Sequence, residues 1–352
     1  MYRSKKNNIF GQKNQKKEIS FVNKLYEKLL EEIFRELNKA CNVNFSKRAW
    51  RIFIGPWLER FITISVENLK NKNLSKNKNN KFRNLITRNI SELNENSQDL
   101  EWNKYLNYRL KKSKKFLAHE DRNYVSNITN LRMKLIFFFN KIFIKNLFSF
   151  FGFFNKILFY KPYLGKSFKT FKFFLILREI PLIYPIFEDK KYNYPYDYFL
   201  RKKIKISEKY SSTEEKLIKK ILVESIPTFY LEGIPFLEKK LIDSPFPKKI
   251  KLIFTSSLLR DNLFKYLCFD YVNKGTKLIY KQHGSNYGQL EINNVEQHEI
   301  KISDYFITYG WNHKKPKVIP GCNFQNFSKK KIVRLNSNNI LLLFGNSINF
   351  KR

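Results

Sequence analysis

Histidine, cysteine and glycine are scarce in this chain. Three cysteines, Cys41, Cys268 and Cys322, occur in 352 residues. They are odd in number and far apart, which gives neither a disulfide framework nor a CxxC metal-binding pattern and points to a reducing, cytoplasmic compartment. Among only 11 glycines there is no GxGxxG, GxxxxGK[ST] or GxSxG, and HExxH is absent as well. Dinucleotide binding, P-loop chemistry, zincin proteolysis and α/β-hydrolase chemistry therefore have no positive support. The opening residues, MYRSKKNNIFGQKNQKKEIS, are basic and lack the apolar stretch of a secretory leader.

Acidic residues are few as well, 30 against 68 Lys and Arg, for a net charge of +38. Such a balance suits nucleic acid or an anionic membrane surface. Composition offers a second origin. The chain is rich in Lys, Asn, Ile, Phe and Tyr, as AT-rich coding dictates, and its lysines are spread along the whole length instead of forming one block. Nucleic acid is therefore not the expected partner. Hydrophobic residues at 43% and aromatics at 17% support a folded core, and the length allows two domains.

Residues 1–19 read as a basic disordered tail and 20–205 as a helical region. Ser20 is a suitable N-cap for a helix whose Val22, Leu25, Tyr26, Leu29, Leu30, Ile33 and Leu37 share one face. Ser46 can cap a second helix, which Gly55-Pro56 breaks or kinks. Lys70–Asn84 reads as an exposed loop, with further helices over 84–130. No segment reaches the roughly 20 apolar residues of a membrane span. Within 131–160, Lys134, Lys141, Lys145, Ser149, Gly152 and Lys156 form one polar stripe on an otherwise apolar helix. That helix is either buried on most sides or lies at an anionic membrane interface with its lysines reaching the headgroups.

From about residue 206 the pattern changes. Ser212 and Glu215 form a capping signal, and short apolar runs follow at α/β spacing. KLIFTSS, KLIYKQHG, YFITYGW and NNILLLFGNS read as strands, and LLRDNLFKYLCFDYVNKG reads as a helix ending at Gly275. Strand, helix and strand in this order form a parallel, Rossmann-like sheet, whose ligands bind beyond the carboxyl ends of the strands. Those ends are Ser256-Ser257, Gln282-His283-Gly284 and Tyr309-Gly310-Trp311. His283 can act there as a proton acceptor or phosphate contact, or can simply cap its strand. Ser256 and Ser257 suit an anionic group at a helix N-terminus, or plain N-capping. His298 stands among Glu296, Glu299 and Asp304, a cluster equally readable as an ordinary polar loop or a loose metal site. His119 and His313 look like surface residues.

With these residues in hand, FSKRAWRIFIGPWLERF, IPTFYLEGIPFLEK, PKKIKLIFTSSLLRDNLFKYLCFDYVNKGTKLIYKQHGSNYG and EQHEIKISDYFITYGW resemble a bacterial family of surface-polysaccharide (O-antigen-type) transferases. That family is distantly similar to CDP-glycerol glycerophosphotransferases and capsule Kdo transferases. The resemblance implies a glycosyltransferase-B-like α/β fold, in which two Rossmann-like domains face a cleft. It also implies a nucleotide-activated sugar or alditol donor, a glycan or lipid-linked acceptor, no cofactor and no metal. His283 would be the catalytic or phosphate-contacting residue. Ser256, Ser257, Gln282, Gly284 and Ser285 would serve substrate binding, together with His298, Glu299 and Asp304, which would order the adjacent loop. Trp50, Gly55, Pro56 and Trp57 would be structural. Ser285 stands where the family tends to carry a second glycine. The resemblance assigns 206–325 to an acceptor-side portion and 326–352 to a linker and the first strand of a largely missing second domain. Peripheral contact with the inner face of the membrane, or a non-catalytic basic protein docking on polyanions, completes the expectations.

Overall fold

The computed structural model describes residues 5–70, 106, 110, 155–164, 168–180, 183–184, 194–209, 211–244, 246–247, 249–258, 262–284, 286–289 and 293–323. Three helices come first: α1 (Lys5–Cys41), α2 (Lys47–Phe53) and α3 (Gly55–Lys70). All seven apolar residues of the α1 stripe, from Val22 to Leu37, are buried. Ser20 does not start this helix. The lysine-rich run before it contains no proline, and α1 continues back to Lys5, so 5–19 is helical and not an irregular tail. Ser46 caps α2 by accepting a hydrogen bond from Ala49 N. After Ile54 the chain restarts at Gly55, with Pro56 in the first turn of α3, where its missing N–H does no harm. Gly55 lets α3 approach α1 closely: a Cβ there would lie 2.7 Å from the Tyr26 hydroxyl oxygen, so a larger residue would have to displace that side chain.

The sheet has six parallel strands in the order β2-β1-β3-β4-β5-β6. They are β1 (Ile157–Tyr160), β2 (Ile183–Tyr184), β3 (Leu252–Thr255), β4 (Lys277–Lys281), β5 (Tyr305–Thr308) and β6 (Val318–Pro320). Helix α4 (Phe168–Ile176) joins β1 to β2. Helices α5 (Tyr198–Lys202), α6 (Thr213–Ser225) and α7 (Ile234–Ile242) lead to β3. Helix α8 (Asn262–Asn273) crosses from β3 to β4 and α9 (Asn294–Ile302) from β4 to β5. Ser212 caps α6 as the sequence predicts, and Gly275, at φ +95°, closes α8.

Two strands lie before residue 206. The expected 131–160 helix is thereby corrected at its end: Ile157–Tyr160 is the strand β1, and 131–154 lie outside the described residues. The four-residue run ILFY fits either structure by composition, and pairing with β2 and β3 decides for strand. The Lys70–Asn84 loop beyond Lys70 and the 338–347 strand also lie outside the described residues. Of the helices expected over 84–130, only Leu106 and Leu110 are described, both helical.

Alternation along the strands sends residues to two faces. Leu158, Tyr160, Ile253, Leu278, Tyr280 and Phe306 join the main core with α1, α2, α3, α6 and α8, whereas Phe159 and Phe254 meet Phe174 of α4 on the other side. Aromatic packing joins the N-terminal helices to the sheet layer, with Phe269 of α8 stacked under Phe45 and Phe53 at centroid distances of 4.1 and 4.8 Å.

Charged pairs reinforce this junction. Lys219 of α6, almost fully buried, holds both oxygens of Glu32 at 2.8 and 2.9 Å. Arg201 of α5 grips Glu232 with two hydrogen bonds of 2.6 and 2.8 Å, donates to the Val223 carbonyl and lies over the Tyr196 ring. Both Arg201 and Glu232 are buried, so truncating one strands the other charge without water. Glu232→Ala is expected to lower unfolding free energy by about 3–5 kcal/mol. Lys274→Ala, which removes the exposed pair with Asp270, is expected to change it by less than about 0.5 kcal/mol. Equal losses in a denaturant titration of the two variants would refute this ranking.

Candidate functional site

The strand order reverses between β1 and β3, since the chain leaves β1 toward β2 on one side and β3, β4 and β5 follow on the other. In open parallel sheets the crevice at the carboxyl ends beside such a reversal is the usual ligand site. Here Lys161 and Tyr163, at φ 43° and 46°, flank Pro162 immediately after β1, two left-handed non-glycine residues in three positions. Beyond β3, the Ser256 hydroxyl donates to the Pro162 carbonyl at 3.3 Å, tying the two loops across the reversal. Ser257 N donates to Thr255 Oγ1 at 3.1 Å, and Leu258 N to the Tyr280 hydroxyl, also at 3.1 Å. Residues 259–261, between these serines and the described start of α8 at Asn262, lie outside the described residues.

Gln282 organises the next two loops. Its amide nitrogen donates to the Gly284 carbonyl at 2.6 Å, and its oxygen accepts from Tyr309 N and Trp311 Nε1, both at 2.9 Å. The Trp311 ring in turn lies on Gly288, where a Cβ would approach it to 2.8 Å and φ is +71°. The glycine this loop demands is thus Gly288. Gly284 has no positive φ, and a Cβ there would meet only the Tyr287 ring at 3.4 Å, an ordinary contact. Ser285 lies outside the described residues.

His283 stands beyond β4 with its side chain 35% exposed. Its Nδ1 is 3.1 Å from the Tyr287 hydroxyl and 3.8 Å from Glu299 Oε1. The same hydroxyl donates to Glu299 Oε2 at 2.9 Å. Glu299 is fully buried, and burial pushes its carboxyl up to about 8, against hydrogen bonds from Tyr287 and Tyr280 that lower it. Burial and the neighbouring Glu299 together raise the hydroxyls of Tyr280 and Tyr287 well above their ordinary range, so both stay protonated as donors. Hydrogen bonds thus run from Glu299 through the Tyr287 hydroxyl to the His283 imidazole, while Tyr280, whose hydroxyl accepts from Leu258 N, is the second phenol acting on this carboxyl.

Lys281, at the end of β4, is buried with its ammonium 5.3 Å from the centroid of the Tyr309 ring, and burial lowers its pKa to about 8. A cation at the carboxyl end of the central strands suits an anionic substrate group. No sequence motif marks Lys281, Tyr280 or Tyr287. Alternation along KLIYK turns Tyr280 to the α9 face, but the residues it meets there read as a polar loop. NVEQHEIKI is in fact the helix α9, capped by Asn293 accepting from Glu296 N. Glu296 reaches back to accept from Gly288 N at 2.7 Å.

The helix separates the other expected residues. His298 faces away from His283 into a small cavity lined by Asn23, Tyr26, Glu59, Gln297 and Lys301, with room for about one water. Burial lowers its pKa to about 3, so it is neutral. Asp304 sits at the amino end of β5, level with Leu278. That is four residues, roughly 13 Å, from Gln282 along the strands. There it binds Arg48 through two hydrogen bonds of 2.6 and 3.1 Å and accepts from Leu278 N, fastening α2 to the sheet. Among the described residues no group of three or more His, Cys, Asp or Glu is placed to hold a metal ion. His313 is exposed, His119 lies outside the described residues, and no described helix is long and apolar enough to cross a membrane.

The buried carboxyl has a consequence for stability. An ordinary glutamate releases its proton near 4.5, whereas folded Glu299 keeps it to about 8. The native state therefore holds a proton that the unfolded chain has lost, and stability present at acid pH declines as pH rises through that window. Glu59, raised to about 7 by burial, adds a decline of the same sign. His298 acts oppositely, its contribution being lost as pH falls from 6.5 toward about 3. Melting curves between about pH 5 and 8 are expected to show a decline that Glu299→Gln makes shallower. An unchanged slope in that variant would exclude the assignment.

No curated protein and no solved structure matches the chain. A family pattern does, described as LIC12162 family transferase, and it spans residues 7–351, nearly the whole sequence and all of the strands that carry this rim. The chain belongs to the LIC12162 family of transferases.

Proposed function

We propose that this transferase moves a sugar or alditol-phosphate unit from a nucleotide-activated donor to a cell-surface glycan or lipid-linked acceptor, with His283 as the general base. The observation that carries the reading is the position of His283. It is a partly exposed imidazole beyond the carboxyl end of β4, with one ring nitrogen engaged by Tyr287 and the buried Lys281 one residue before the Gln282 clamp. A neutral imidazole accepts a proton from an attacking hydroxyl near neutral pH. Lys281, together with the loops after β1 and β3, supplies positive charge and hydrogen-bonding groups for phosphate.

On this reading the described sheet is one of the two Rossmann-like halves of a glycosyltransferase-B-like enzyme, on its acceptor side. The sequence resemblance assigns the donor nucleotide to the other half. The work is cytoplasmic, and the net charge of +38 supports peripheral contact with the anionic inner face of the membrane, where a lipid-linked acceptor would be presented. No residue is assigned to a metal or cofactor.

His283→Ala is expected to reduce transfer from a panel of nucleotide-activated sugars and alditols by roughly 10²–10⁴-fold while leaving the melting curve in place. Transfer at the parental rate by a folded His283→Ala protein would rule out the base.

A further inference from the structure

The Tyr287 hydroxyl has one proton and two claimants, Glu299 Oε2 at 2.9 Å and His283 Nδ1 at 3.1 Å. It can donate to only one of them at a time, and the other must then supply a proton to its oxygen. When Glu299 is a carboxylate, Tyr287 donates to it and His283 donates through Nδ1–H, leaving the Nε2 lone pair as the basic position. When Glu299 is protonated and donates to Tyr287, the tyrosine donates to Nδ1 and the imidazole proton resides on Nε2. We propose that Tyr287 and Glu299 are positioning residues that set the tautomer of His283 and take up the proton it removes from the acceptor.

This rests on the reading of His283 as the base, and the proton balance of the step is complete. The acceptor O–H bond breaks and Nε2–H forms as the acceptor oxygen bonds to the electrophilic carbon or phosphorus of the donor. The bond from that atom to the nucleotide phosphate oxygen breaks, and the nucleotide leaves as the anion. Nδ1–H then passes to the Tyr287 oxygen, and the Tyr287 proton passes to Glu299. The imidazole finishes neutral, Tyr287 finishes neutral, and Glu299 holds the one proton gained. No imidazolium persists in a half-buried position, where a charge is poorly solvated.

The groups facing Glu299 come from three directions: Tyr280 from β4, Tyr287 and His283 from the loop beyond it, and Glu296 from α9 itself. The two hydroxyls favour its ionised form, whereas Glu296 and burial oppose it. The balance places its transition near about 8, so the tautomer with a basic Nε2, which the transfer step needs, gains population as pH rises from neutral through that value. Tyr287 is also held in place, stacked on Phe306 at a centroid distance of 6.0 Å, so removing its hydroxyl leaves the ring packing intact.

The test is ¹⁵N-histidine NMR of the full chain, with His283 assigned among the four histidines by its absence in His283→Ala. From about pH 7 to about pH 9, spanning the Glu299 transition near about 8, the parent protein is expected to convert from Nε2–H to Nδ1–H. Tyr287→Phe and Glu299→Gln are both expected to abolish that conversion. A single tautomer throughout in the parent protein, or conversion that survives in Tyr287→Phe, overturns the proposal. The tautomer is read without substrate. A His283→Ala protein with full transfer would therefore refute the base while leaving this coupling standing, and the reverse result would do the opposite.

Discussion

A carboxyl group removed entirely from water governs the rim of this sheet. Glu299 projects from α9 to the β4 loop, where its Oε2 accepts from the Tyr287 hydroxyl. Burial of an ionised carboxylate is strongly unfavourable, so Glu299 either holds a proton or is met by several donors. Tyr280 and Tyr287 supply those donors, and their own burial keeps them protonated. One of them carries the effect to His283, and the other carries it to the backbone after β3. The loops after β3 and β4 thereby meet at one titratable group.

Much of this architecture was legible in the sequence. The β3, α8 and β4 segments, β5, and the caps at Ser46, Ser212 and Gly275 follow from alternation, capping chemistry and the C-terminal glycine, all local signals. What escaped was decided by contacts distant in sequence. β1 and β2 are short apolar runs of four and two residues, and strand pairing alone distinguishes them from helix. Missing them hid the reversal of strand order, and with it the Pro162–Ser256 contact. α9 was hidden for another reason. NVEQHEIKI is polar along much of its length, because its buried face carries His298 and Glu299 beside Ile300 and Ile302. A hydrophobic pattern cannot reveal a helix whose inward side is itself polar.

The same helix explains why residues grouped by sequence divide in space. His298 and Glu299 are adjacent, and a step of about 100° around a helix sends them to different surroundings. One enters the cavity against α1 and α3, and the other enters the tyrosine cluster beneath His283. Asp304, five residues further, serves the opposite end of the sheet through Arg48. Some of the basic residues have structural work. Arg48, Arg201 and Lys219 each join elements far apart in sequence through a carboxylate partner.

The account turns on where Glu299 exchanges its proton. A carboxyl-¹³C titration of glutamate-labelled protein, with the resonance assigned by Glu299→Gln, reads this without any substrate. The account predicts a midpoint near about 8. A midpoint close to the ordinary 4.5 would mean that this carboxyl is a simple solvated charge, and would contradict the coupling of the rim to His283.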